Sequence, residues 1–222
     1  MGQQLRVHAR KPSGDERAVI VELQTLHEPL NFRPGQWLSL RLPHGEREVV
    51  RAYSLLEPDR LSLCLDIVPG GLASAKLAGV QPGTLLEVAG PAGNFVLPDP
   101  LPANLIFCAR FTGAVPVHCL LCQLSRVPRR PQAQFLYTLP RGSKLLGEHF
   151  AALETAWPEL IIHHLEEEPE ARAERHMLGE LLAQQPQAWV LIAGRSAYVK
   201  QLREVAQAAG LAKQRILFEK FG

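Results

Sequence analysis

Arg51-Ala52-Tyr53-Ser54 ends a run that reads as a β-strand, and its side chains suit a phosphorylated aromatic cofactor. On a strand, residues 51 and 53 point to one face and 52 and 54 to the other. A guanidinium makes charge-assisted, often bidentate bonds to phosphate. The tyrosine adds a flat apolar face and a hydroxyl, and the serine adds a short donor. Taken alone, the four residues fit an edge-strand ion pair beside a barrel tyrosine equally well. A second stretch tips the balance. Gly70-Gly71-Leu72-Ala73-Ser74 opens a short helix expected to run through Leu77. A glycine pair lets backbone approach a ligand closely, and a helix N-terminus presents unsatisfied N–H groups that favour phosphate. Two elements therefore each offer an anion-holding corner.

The elements around these residues fall into two groups. Leu5–Arg10, Arg17–Leu23, Trp37–Leu42, Glu48–Ser54, Leu61–Val68 and Thr84–Ala89 read as strands, separated by turns such as Pro34-Gly35 and Pro82-Gly83. In the fifth, Leu61, Leu63, Leu65 and Ile67 alternate with Ser62, Cys64 and Asp66, the pattern of a strand with one buried face. Many short strands with turns between them suggest a barrel. Pro98-Asp99-Pro100-Leu101-Pro102 can continue neither a helix nor a sheet ladder, which puts a boundary there. Beyond it, strands at Leu105–Ala109, Gln134–Thr138, Leu160–His164, Trp189–Ala193 and Ile216–Phe218 alternate with helical stripes. One stripe is Val117, Leu120, Leu121 and Leu124. Another is Val199, Leu202, Ala206 and Ala209, with Gly210 placed to end it. Alternating strand and helix implies a parallel sheet with crossover helices. The expected fold has two domains: an N-terminal antiparallel β-barrel over residues 1–98 and a C-terminal α/β parallel-sheet nucleotide-binding domain over 103–222.

Composition narrows the function. The 222 residues carry a formal net charge of +2 with both signs interspersed, which argues against nucleic acid or an acidic membrane as partner. No apolar run approaches the roughly 20 residues that span a bilayer, and no leader pattern is visible, so a cytoplasmic location is expected. Four cysteines in a chain this long make no disulfide framework and lack iron–sulfur spacing. Cys119 and Cys122, beside His118, lie inside an expected helix and read as buried small residues, so no metal site is expected. The acidic run Glu166-Glu167-Glu168 reads as a solvated loop.

The ordered set of motifs resembles the ferredoxin–NADP reductase family of flavoproteins. The matching residues are Pro34-Gly35-Gln36, Arg51 to Ser54, Gly70 to Ser74, Gly90-Pro91-Ala92-Gly93-Asn94-Phe95 and Phe218-Glu219-Lys220-Phe221. The resemblance covers nearly the whole chain and implies a flavin domain followed by a nicotinamide-dinucleotide domain. It assigns Arg51 to the flavin phosphates, Tyr53 to the isoalloxazine face and Ser54 to the flavin N5. It assigns Gly70, Gly71, Leu72, Ala73 and Ser74 to the pyrophosphate. At the C-terminus, Phe221 would shield the ring and Glu219 would relay protons. Ser54, Tyr53 and Glu219 are thus the catalytic candidates. FAD is the implied cofactor, with FMN less favoured and NAD(P)H as co-substrate.

The dinucleotide half departs from the family pattern. Where the family has Gly-Gly-Thr-Gly, this chain has Arg110-Phe111-Thr112-Gly113; Thr112 and Gly113 match and the two leading glycines are lost. Where the family has a Cys-Gly-Pro-Pro-like turn, this chain has Ala193-Gly194-Arg195-Ser196, so only Gly194 matches. Arg110 or Arg195 could supply a cation to the dinucleotide phosphates, or Arg110 and Phe111 could fill the nicotinamide space. Arg141 and Lys144 could meet a 2′-phosphate or simply face solvent. The leading expectation is an NAD(P)H-dependent flavoprotein reductase passing electrons to ferredoxin or another iron–sulfur or haem protein. The alternatives are a flavin-bearing electron-transfer subunit that has lost dinucleotide use, and a non-catalytic interaction or sensory module on the same frame.

Overall fold

A computed structural model describes residues 3–44 and 47–221. Six antiparallel strands come first: β1 (Gln3–Pro12), β2 (Ala18–Thr25), β3 (Trp37–His44), β4 (Arg47–Ser54), β5 (Ser62–Asp66) and β6 (Leu85–Ala92). Their order in the sheet is β4-β3-β6-β1-β2-β5. The two outer strands meet through a Leu55–Leu63 bridge, and the Leu56 N–H donates to the Ser62 carbonyl at 2.8 Å. That contact draws the two edge strands together, so the sheet curls into a partly closed barrel. Leu5, Val7, Val21, Leu38, Leu40, Leu63 and Val88 fill the interior. Helix α1 (Leu72–Ala78) covers one end and packs against β3, β4 and β5.

The second half forms a five-stranded parallel sheet. Its strands are β7 (Asn104–Arg110), β8 (Gln132–Leu139), β9 (Ile161–Glu166), β10 (Trp189–Arg195) and β11 (Ile216–Phe221), in the order β11-β10-β7-β8-β9. Helices α2 (Ala114–Leu124) and α3 (Gly147–Ala156) lie on the face toward the barrel, and α4 (Arg172–Gln184) and α5 (Ser196–Ala208) on the other. The chain runs outward from β7 through β8 and β9, then returns to β10 on the opposite side of β7. In an open parallel sheet such a reversal creates a crevice beyond the carboxyl ends of the strands. It falls here at the ends of β7 and β10.

β5 is buried on both faces, not one. Ser62 and Cys64 are as inaccessible as the leucines between them. The leucines enter the barrel core, while Cys64 joins a cluster with Ala18, Ile20, Phe95, Leu120 and Phe150 that runs into the α/β layer. One continuous apolar core therefore bonds barrel to sheet. A polar hinge reinforces it. The Leu146 N–H donates to the Ser13 carbonyl at 2.7 Å, the Ser143 hydroxyl donates to Asp15, and Arg17 lies over the Phe111 ring at 5.3 Å. Hydrogen bonds from Arg17 hold the Asp15 carboxyl well below its ordinary pKa, against the opposing effect of its burial.

Candidate functional site

Between β4 and the C-terminal strand β11 lies a cleft of about 370 Å³, lined by Trp37, Ala52, Ser54, Gly93, Asn94, Phe95 and residues Phe218 to Phe221. Strand alternation explains the selection. In the pairing of β3 with β4, Trp37 stands opposite Ser54 and Ser39 opposite Ala52, which sets Ala52 and Ser54 on the outer face. Three of the expected residues, Ser54, Glu219 and Phe221, are thus brought into one cavity. Ser54 Oγ and Glu219 Oε2 are both buried there without a well-formed hydrogen bond among the described residues. Two orphaned polar atoms beside flat aromatic surfaces suit a planar ring with heteroatoms along one edge, because buried polar groups are nearly always satisfied once a site is complete.

Glu219 sits in a low-dielectric position. Burial raises its pKa from 4.5 to about 7, and the nearby Ser54 hydroxyl draws it partly back. At pH below 4.5 folded and unfolded chains both hold the proton, so the carboxyl costs nothing. As pH rises the unfolded chain loses it first, so stability falls until the folded carboxyl has also titrated, near 7. Glu219→Gln should therefore match the parent at about pH 4 and exceed it by about 3 kcal/mol at about pH 8. Urea denaturation midpoints across that range check this; a variant that is less stable at the upper end would contradict it.

Arg51 and Tyr53 occupy the opposite face of β4. They stand across from Leu40 and Leu38, which point into the barrel. Tyr53 is half-buried against the barrel core, and burial, followed by the Asp66 charge, pushes its hydroxyl up to about 12. Arg51 is exposed, donates to the Val50 carbonyl at 2.8 Å and makes no ion pair among the described residues. At the barrel end covered by α1, Gly70 takes a left-handed turn (φ +72°). A Cβ on Gly71 would stand 3.1 Å from Ser74 Oγ and from the Val68 carbonyl, so this turn is tightly wound around the helix start. Leu72 is half-exposed, whereas Ala73 and Ser74 are buried.

The remaining candidates lie at the crevice between β7 and β10. Gly113 is pressed against β10, where an added Cβ would strike the Ala193 carbonyl oxygen at 2.5 Å. A Cβ on Gly194 would reach the Tyr198 ring at 2.8 Å. Both glycines thus serve close packing of the turn onto its neighbours. Thr112 hydrogen-bonds a residue that the sequence did not single out, Asp66 at the end of β5, and the charge of Arg195 is felt there. The β10–β11 pairing sets Ala193 beside Glu219 and Arg195 beside Phe221. Trp37 and Phe218, which line the cleft, were not among the expected site residues, nor was Asp66. Trp37 carried a signal, an aromatic two positions after the Pro34-Gly35 turn, but its side of the strand shows only in the register.

Arg110 does not stand free for phosphate. Its Nε donates to Glu174 Oε1 at 2.6 Å, Nη2 to the Glu168 carbonyl at 2.8 Å and Nη1 to Glu167 at 3.4 Å. Its guanidinium also lies 5.1 Å from the Tyr198 ring centre. Glu174 is fully inaccessible. The acidic run is therefore not simply solvated, since two of its residues grip Arg110 and Glu166 ends β9. Phe111 adopts the left-handed region (φ +45°), as do Glu170 (φ +58°) and Ala171 (φ +51°) beside this network. Each such residue costs roughly 1–2 kcal/mol. Arg141 pairs with Glu166 at 3.3 Å, both well exposed.

The two cysteines of α2 behave as small core residues. Cys119 is buried, Cys122 partly so, and all four cysteines are free. The His118 Nδ1 lies 2.9 Å from the Leu56 carbonyl, and burial lowers the ring pKa to about 4. No three His, Cys, Asp or Glu side chains among the described residues are placed to hold a metal ion. No helix among them is long and apolar enough to cross a membrane.

A barrel-like antiparallel sheet thus shares one cleft with a parallel sheet that reverses at that junction. Residues 5–97 match the oxidoreductase FAD-binding domain model. Over 200 residues the chain is 28% identical to an NADPH oxidoreductase of Mycobacterium tuberculosis, covering 86% of this chain and 52% of that protein. It is 39% identical over 94 residues to ferredoxin–NADP reductase B of Sorangium cellulosum, covering 40% of this chain and 38% of that one. The chain thus spans about half or less of the length of these curated relatives. Its fold superposes on the flavohem-like FAD/NAD binding domain of nitric oxide dioxygenase from Vibrio cholerae with a TM-score of 0.85 and 18% identity, covering 100% of this chain and 99% of that one. The chain is thus similar over residues 5–97 to the oxidoreductase FAD-binding domain, and its whole fold is that of an FAD/NAD binding domain.

Proposed function

We propose that the chain is an NAD(P)H-dependent flavoprotein reductase, with FAD held between barrel and α/β layer and electrons passed on to a ferredoxin or another iron–sulfur or haem protein. The observation that carries this reading is the cleft where Ser54 and Glu219 present unsatisfied polar atoms beside Trp37, Phe218 and Phe221. A flavin bound there accepts hydride from a nicotinamide and releases electrons singly, which is chemistry of the cofactor, not of the protein. The chain's part is to bind and orient. Arg51 binds the flavin phosphates, and the Gly70–Ser74 turn cradles the pyrophosphate. Tyr53 and Phe221 flank the ring, Ser54 donates at its N5 edge, and Glu219 holds or yields a proton near neutral pH. Thr112, Gly113, Gly194 and Arg195 form the dinucleotide crevice. We divide the chain into a flavin domain over 1–98 and a dinucleotide domain over 103–222, and place it in the cytoplasm, in keeping with its free cysteines.

One observation favours a second reading. Arg110, bound to Glu174 and Glu167, together with the left-handed Phe111, occupies the turn that in the family approaches the dinucleotide. On that reading the chain carries flavin but takes its electrons from another protein. Anaerobic addition of NADH and of NADPH to the flavin-loaded chain separates the two. The first reading expects the flavin absorbance to bleach with at least one nucleotide; an unbleached spectrum at millimolar concentration of both would overturn it in favour of the second.

A further inference from the structure

Asp66 ends β5 on the line where the barrel meets the α/β layer, and β5 packs there against the 3-10 turn Phe111–Gly113. Thr112 of the other layer hydrogen-bonds its carboxylate, which also feels the charge of Arg195. On the barrel side its charge is felt at Tyr53. Asp66 Oδ1 is nonetheless buried without a hydrogen-bond partner among the described residues. Arg195 is exposed, ends β10 and stands beside Phe221, which borders the cleft holding Ser54 and Glu219. The cluster thus joins the crevice at the strand ends to the face of the flavin cleft.

A buried acceptor in the field of a guanidinium from the facing layer forms the complement of one small group. A primary carboxamide is flat; its NH2 donates and its oxygen accepts. A buried carboxylate oxygen without a hydrogen-bond partner carries a desolvation cost that a ligand N–H would relieve.

We propose that Asp66, with Thr112 and Arg195, recognises the carboxamide of the nicotinamide ring. Asp66 Oδ1 accepts from the amide NH2, Arg195 donates to the amide oxygen, and the Thr112 hydroxyl fixes the carboxylate. The assignment rests on NAD(P)H being the electron donor. It makes Asp66 a residue that touches the co-substrate and selects the amide, with no proton to transfer.

The test is anaerobic rapid-mixing reduction of the flavin-loaded full chain, in the parent, Asp66→Ala and Arg195→Gln forms. Each is mixed with the better of NADH and NADPH and with the corresponding reduced 3-acetylpyridine dinucleotide, in which a methyl replaces the NH2. The parent should bind the carboxamide form at least about tenfold more tightly than the acetyl form, since a hydrogen bond to a charged group is at stake. In Asp66→Ala that preference should vanish while flavin content and spectrum stay unchanged. Arg195→Gln should weaken both nucleotides alike, because both keep the oxygen. Asp66→Ala that discriminates as the parent does would overturn the proposal. If Asp66→Ala loses its flavin, Arg195→Gln decides, and unchanged affinity for both nucleotides overturns it. A parent whose flavin no nucleotide reduces brings down the functional reading as well; reduction without loss of discrimination in the variant brings down this assignment alone.

Discussion

Replacing Arg51 by alanine is expected to weaken FAD retention by about ten- to a hundredfold. The guanidinium is exposed and bound only to the neighbouring Val50 carbonyl, so it is available to a phosphate at little cost in broken contacts. A charge-assisted hydrogen bond of this kind contributes about 1.5–3 kcal/mol, and each 1.4 kcal/mol is a factor of ten in affinity. Stability should hardly change, because the side chain makes no ion pair among the described residues and is not part of the core. The two effects are separable by measuring flavin content after gel filtration and the urea midpoint of the flavin-free protein. Arg51→Lys should recover only part of the affinity, since an ammonium cannot match the two-pronged geometry of guanidinium on phosphate. Unchanged flavin content in Arg51→Ala would remove this residue from the site.

Replacing Arg110 by alanine is expected to cost about 3–5 kcal/mol of stability, among the largest effects of a single substitution in this chain. The reason is the partner left behind. Glu174 is wholly inaccessible, its Oε2 already lacks a hydrogen bond, and Arg110 Nε at 2.6 Å is the group that offsets its charge. The opposite substitution should cost less. Glu174→Ala leaves a guanidinium that is 18% exposed and still held by Glu167 and the Glu168 carbonyl. Substituting both, Arg110→Met with Glu174→Leu, should recover much of the loss, since buried ion pairs can often be exchanged for well-packed apolar groups. Chemical denaturation of the single and double variants gives the coupling directly. Equal losses in the two alanine variants would show that the asymmetry of burial does not govern the pair.

Much of the architecture could be read in the chain because local signals agreed with one another. Alternation marked the fifth barrel strand, turn pairs marked the starts of the third and sixth, and the Pro98–Pro102 run separated the two kinds of pattern. Gly210 ends α5 with a positive φ, as its position after the apolar stripe suggested. Helices α3 and α4 were not legible. α3 buries only Phe150 and Leu153 and starts from a left-handed Leu146, without a capping side chain. α4 is rich in charge, contains Gly179 and follows two left-handed residues, so its few buried leucines make a weak stripe. β5 was read with one buried face because Ser62 and Cys64 are small and mildly polar; the second layer that covers them belongs to the far half of the chain.

The site divides along the same line. Ser54 and the Gly70–Ser74 turn carried their own chemistry, and Glu219 and Phe221 came only through the family resemblance. What sequence could not disclose was pairing across distance. Arg110 meets Glu174 across 64 positions, and Asp66 feels the charge of Arg195 from the other sheet. A guanidinium looks alike in one dimension whether it awaits a phosphate or is already bound to a buried carboxylate.

The proposed function requires the cleft between β4 and β11 to hold the redox ring. Visible absorption of the purified chain, followed by titration of any flavin-free fraction with FAD and with FMN, tests this most directly. The expected result is a yellow protein that binds FAD stoichiometrically, with its flavin fluorescence quenched by the aromatic side chains of the cleft. A colourless preparation that takes up neither flavin would contradict the account.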